Sequence, residues 1–189
     1  MLFSTENIKC PSSQTQNKDY DFGVRNVKSN YINPDELNEL EQLIQQNACI
    51  EFVTHGAWSS HQLFEKIINI TGPAHICIAT WAISQKPMEK LEKLKREGKI
   101  LSLSGFLERK IPTHNAKTFG YAQVIFDEIF LTANHAKVML FENEIWNISV
   151  ISTANWTINR RTEVGEIFCN ADSVQFQKKW MNGCKIRTS

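Results

Sequence analysis

The stretch CIEFVTHGAWSSHQLFEKIINITGPAHICIAT, residues 49–80, decides the fold. It reads as a strand over 49–54, a helix over 60–70, a turn at Gly72-Pro73 and a second strand over 75–80. Downstream, a heavily charged helix is predicted over 87–97, with Leu91 and Leu94 facing inward. It stops at Gly98 and gives way to a strand over 99–104. Strand, helix, strand, helix, strand implies an α/β fold. Upstream, Asn33 is placed to cap a helix with Pro34 at its first position. Leu37, Leu40, Leu43 and Ile44 form an apolar stripe that should end near Asn47.

Before that helix, residues 1–33 are polar and lack a sustained period of 2 or 3.6, so they read as an N-terminal arm ahead of a domain over 34–189. The stretch 115–130 supports either a helix followed by a strand or two short strands, and a short helix is assigned. Residues 136–141 and 145–151 read as paired strands around Glu142, Asn143 and Glu144. A further strand is expected over 164–169 and a closing helix over 172–182.

Composition limits the function classes. The 189 residues, 42% hydrophobic and 22% charged, suffice for one domain with its own core. A net charge of +1, from 21 basic and 20 acidic residues, gives no global field for a polyanion, so any nucleic-acid binding must be local. No stretch approaches the roughly 18 to 20 apolar residues of a membrane span, which reads as a soluble, cytoplasmic protein. Five cysteines without a C-x-x-C pair argue against a disulfide framework or a zinc ribbon. Cys49, Cys77 and Cys169, each in an apolar run, read as buried thiols.

The chemistry concentrates in residues 135–168, HAKVMLFENEIWNISVISTANWTINRRTEVGEIF. On a strand His135 and Lys137 project to the same side, a nucleophile or acid-base group beside a fixed cation, which suits phosphate chemistry. Thr153 and Asn155 share a side at the end of the next strand and offer a hydroxyl and an amide to one oxyanion. Glu166 enters on a third strand, where a carboxylate could fix the tautomer of a histidine.

This run resembles the signature of the phospholipase D superfamily, His-x-Lys-x-x-x-x-Asp followed by Gly-Ser-x-Asn. The likeness is to its small nucleases with one motif per chain. His135, Lys137 and Asn155 match directly, Trp156-Thr157 resembles the aromatic-Thr pair that often follows, and Glu166 follows Asn155 at the family's spacing. Three positions depart from it. Glu142 stands for Asp, on the opposite strand parity from His135, and is given a supporting role. Ser152 stands for Gly, where backbone conformation or close approach to phosphate is at stake. Thr153 stands for Ser and keeps the hydroxyl.

The resemblance implies a phospholipase D-like fold, a mixed β-sheet flanked by helices. It also implies a two-step phosphodiesterase reaction without metal or other cofactor, through a phosphohistidine on His135, with a second histidine as acid and then base. None of the other histidines, His55, His61, His75 and His114, is followed by Lys two positions on. The partner histidine must then come from a second copy, in a two-fold homodimer with its active site at the interface. Lys137 and Asn155 would hold the non-bridging oxygens, and Glu166 would orient His135.

DNA or RNA is the expected substrate, with Arg160 and Arg161 placed to grip phosphate and Trp81 to stack a base. Each has an ordinary alternative, solvated arginines on a loop and a core indole. Trp58 and His61 could line a groove, or Trp58 could simply pack. The mixed-sign run from Lys86 to Lys99 has the spacing of a solvated helix face. Two other functions stay open, a lipid phosphodiesterase and a catalytically silent dimeric binding or assembly module. A metal centre from His114, His135, Glu142 and Glu166 matches no ligand spacing, and Lys137 beside His135 would repel a cation.

Overall fold

The structure is a computed structural model that describes residues 30–32, 37, 39–158 and 160–186. The expected cap and first position of the opening helix, Asn33 and Pro34, and most of the polar arm lie outside these residues. The end of that arm is described: Asn30–Ile32 forms β1, the outer strand of the sheet, parallel to β2, Cys49–Val53.

The helix of the apolar stripe, α1, covers only Leu40–Leu43, shorter than its pattern predicts. The chain leaves it because the Asn47 N–H donates to the Cys169 carbonyl at 2.8 Å and the Cys169 N–H to the Ala48 carbonyl at 2.9 Å. Pairing with a distant strand end outweighs one more helical turn.

Then follow α2 (Ser60–Thr71), β3 (Ala74–Thr80), α3 (Gln85–Arg96), β4 (Ile100–Glu108), α4 (Ile111–His114), α5 (Ala116–Ile125) and β5 (Glu128–Thr132). The ambiguous stretch is thus a helix followed by a strand. The chain closes with β6 (Val138–Glu142), β7 (Asn147–Ser152), β8 (Val164–Phe168) and α6 (Ala171–Ile186). The sheet order is β1-β2-β8-β7-β6-β3-β4-β5. Its first and last pairs, and β3 with β4, are parallel, and the strands between run antiparallel, a mixed sheet as expected.

Alternation along the strands gives the sheet two apolar faces. One, with Ile50, Phe52, Ile76, Ile78, Met139, Phe141, Val150 and Ile167, is covered by Leu63, Phe64, Ile67 and Ile68 of α2, Met88, Leu91 and Leu94 of α3, and Ala122 and Ile125 of α5. The other, with Ala79, Phe106, Val138 and Leu140, is covered by Val174 and Met181 of α6. A central strand buried on both sides explains why β6 reads as an unbroken apolar run. Trp58 is 4% exposed and packs on Phe52, so the core reading holds for it. His61 sits in the first turn of α2, where burial and then the charge of Lys90 hold its imidazole below the ordinary range.

Among the described residues no helix is long and apolar enough to cross a membrane.

Candidate active site

The carboxyl ends of β3, β4 and β7 meet the amino ends of β6 and β8 at one edge of the sheet, and the candidate side chains converge there. His135 and Lys137 lie in the loop entering β6. The Lys137 Nζ is 2.9 Å from His135 Nδ1 and 3.3 Å from Nε2, and donates to the His135 carbonyl at 2.6 Å. The Lys137 nitrogen thus sits within hydrogen-bond distance of the ring that would attack phosphorus. Burial pulls the Lys137 ammonium below its usual range, and the carboxylate of Glu163 opposes that shift. The exposed His135 ring lies 5.4 Å from the ring of Trp81, tilted by 56°.

The loop carrying His135 is held by groups that the sequence did not single out. Asn134 donates through its side-chain amide to the carbonyl of Phe106 at 3.2 Å and to the Thr132 hydroxyl at 2.8 Å. Its side-chain oxygen accepts the Ala136 N–H at 3.1 Å. The Asn134 backbone N–H donates to a carboxylate oxygen of Glu108, itself 9% exposed, at 3.0 Å. A polar side chain that bonds its own loop two residues on is the one available sequence signal for Asn134.

Across β7 the Ser152 N–H donates to the Lys137 carbonyl at 3.0 Å, which places Ser152 and Lys137 side by side. Ser152 stands where the motif has glycine, and the room it needs comes from the next strand. A Cβ on Gly165 would lie 2.8 Å from the Ser152 Cβ, 2.5 Å from the Ile151 carbonyl oxygen and 2.4 Å from the Phe52 ring.

The Thr153 hydroxyl donates to Glu163 and accepts the Val164 N–H at 3.1 Å. Glu163 is fixed through its backbone, which exchanges hydrogen bonds with the buried Thr54: Thr54 N–H to Glu163 carbonyl at 2.8 Å and Glu163 N–H to Thr54 Oγ1 at 3.0 Å.

Asn155 is clamped by its neighbours. Its carbonyl accepts from the Ser60 hydroxyl at 2.9 Å, and Trp156, 2% exposed against Phe64, donates its backbone N–H to Thr80 Oγ1 at 3.1 Å. The Asn155 Oδ1 is buried and, among the described residues, has no hydrogen-bond partner. Arg160 and Arg161 lie exposed on the following loop. That loop is held against the turn after β2, where the Arg161 carbonyl accepts from Thr54 and Gly56, at φ 78°, leaves room for the Arg160 backbone.

Two sequence expectations need correction. Glu166 pairs laterally with Ile151 and Glu51. It therefore shares the α6 face with Val138, while Lys137, Ser152 and Gly165 share the other. It stands beside Cys49, whose thiol it helps to push up after burial. The carboxylate near Lys137 and Thr153 is Glu163, three residues earlier and on the strand parity of Gly165. Glu142 lies at the far end of β6, where its carboxylate pairs with Lys178 of α6 at 2.9 Å. Its support is for the packing of that helix, not for the site.

No family model matches the chain, and no curated protein does. Solved structures do. NucT from Helicobacter pylori aligns over 72% of this chain and 94% of its own at 15% identity, with a TM-score of 0.53. Nuc from Salmonella typhimurium, a phospholipase D family member, aligns over 71% and 92% at 16% identity, with a TM-score of 0.54. Polyphosphate kinase from Porphyromonas gingivalis aligns over 72% of this chain but 26% of its own at 14% identity, with a TM-score of 0.54. At these identities the likeness is one of architecture, and the chain has the fold of the phospholipase D family.

Proposed function

We propose that this chain hydrolyses phosphodiester bonds in nucleic acid without a metal ion, through a phosphohistidine on His135, as a two-fold homodimer. The observation that carries the reading is the pairing of the exposed His135 imidazole with the Lys137 nitrogen at 2.9 Å, at the sheet edge that also holds Thr153, Asn155 and Glu163.

In the first step the unprotonated ring nitrogen of His135 attacks phosphorus. The N–P bond forms as the bond to the leaving oxygen breaks, and that oxygen takes a proton from His135 of a second copy. Water then loses a proton to that second imidazole and attacks phosphorus, the N–P bond breaks, and both rings return to their starting states. Lys137 and the Asn155 amide hold the non-bridging oxygens. Glu163 fixes Thr153 and opposes the loss of charge on Lys137, a different role from the orientation of His135 expected of Glu166. Arg160 and Arg161 grip flanking phosphates.

The test is a panel of plasmid, single-stranded DNA, RNA and phosphatidylcholine in EDTA, with wild type and His135→Ala in parallel. Cleavage of nucleic acid by wild type, reduced by about four orders of magnitude or more in the variant, is expected. Trapping of labelled phosphate on His135 completes it. Strict dependence on a divalent ion, or an active His135→Ala protein, refutes the mechanism; turnover of phosphatidylcholine alone assigns the lipid reading instead.

A further inference from the structure

We propose that the pocket beside His135 is a subsite for one unpaired nucleobase, stacked on Trp81, belonging to a nucleotide next to the phosphate under attack. This rests on nucleic acid as the substrate.

The pocket has a volume of about 520 Å³, within the roughly 300–1,000 Å³ of small-molecule sites. His135 and Trp81 both line it, so its occupant lies one residue's reach from the attacked phosphorus. Trp81 is 46% exposed, a large indole face left open at the end of β3, whereas Trp58 and Trp156 are core. Ile83 and Ile111 give apolar walls, and Lys110 sits exposed in the lining, able to meet a backbone phosphate.

Glu108 is also in the lining; one of its carboxylate oxygens accepts the Asn134 N–H, and the other would accept from the exocyclic amine of a base and repel a phosphate. A base in such a recess has left its stack and its pairing partner, a cost least for single-stranded substrate.

Charge points the same way. With a net charge of +1 the chain cannot hold a polyanion by its overall field, and stacking supplies affinity that charge does not.

The experiment measures anisotropy of labelled, phosphorothioate-linked oligomers in EDTA. The probes are a short single-stranded oligodeoxyadenylate, an abasic oligomer of the same length and charge, and a duplex. Wild type should prefer the base-bearing single strand to both others. Trp81→Ala should weaken that binding roughly ten- to a hundredfold. It should change abasic binding by less than about twofold, and Trp81→Phe should restore most of the loss.

Equal losses on base-bearing and abasic oligomers, equal binding of duplex and single strand, or no binding of either single strand would each overturn the subsite. The His135→Ala cleavage panel reads the chemistry and this assay reads the base contact, so either can fail while the other stands.

Discussion

Replacing Asn134 by alanine tests whether the loop that presents His135 is preorganised. The substitution removes two donors, to the Phe106 carbonyl and the Thr132 hydroxyl, and the acceptor of the Ala136 N–H. Each bond contributes about 0.5–1.5 kcal/mol net, so the loss should be about 2–4 kcal/mol of stability.

The catalytic effect is separate. A displacement of about 1 Å at a reacting group costs up to a hundredfold, so kcat should fall roughly ten- to a hundredfold while KM moves less. Urea unfolding followed by tryptophan fluorescence gives the first quantity, and steady-state cleavage below the transition gives the second. Asn134→Asp is a sharper variant. It keeps the acceptor for Ala136, loses both donors and brings a second carboxylate toward Glu108, so it should be no milder than alanine. If Asn134→Ala is within about 0.5 kcal/mol of wild type with kcat unchanged, the loop is held by something else and the reasoning is wrong.

Glu163→Gln and Glu166→Gln separate the two carboxylates. Glu163 opposes the burial that lowers the Lys137 pKa, so its loss should lower that pKa further. The alkaline limb of kcat/KM, which needs the ammonium, should move to lower pH; Glu166→Gln should leave the limb in place, and the reverse pattern would return the role to Glu166. The sign for stability follows from the same depressed pKa. The charged lysine is disfavoured in the fold below that pKa, and the penalty fades as pH rises through it, so Lys137→Met should gain stability relative to wild type mainly on the acid side, in urea titrations across pH. Gly165→Ala should cost about 1–3 kcal/mol or more through its clashes with Phe52, Ile151 and Ser152. Ser152→Gly should recover only part of that in a double-mutant cycle, and full recovery would mean that the other two contacts had relaxed.

The reading of residues 49–80 as strand, helix, turn and strand corresponds to β2, α2 and β3 within a residue or two, because these elements bury apolar side chains at their own local period. Where length was misjudged, a long-range partner intervened. Strand β4 continues to Glu108 because β5 pairs alongside it from Ser104, and α1 ends early because Asn47 and Ala48 bond with Cys169.

The sequence by itself determined the α/β class and most of the elements, and it singled out His135 and Lys137 as neighbours; they meet in the loop before β6, where Lys137 reaches back to the His135 carbonyl, and not by strand alternation. Only the tertiary structure decided which carboxylate attends that pair, that Gly165 gives Ser152 its room, and that Glu142 belongs to a helix contact at the far end of its strand. Each of these depends on which strands become neighbours and in what register, and lateral pairing joins residues far apart in the chain that no local periodicity connects.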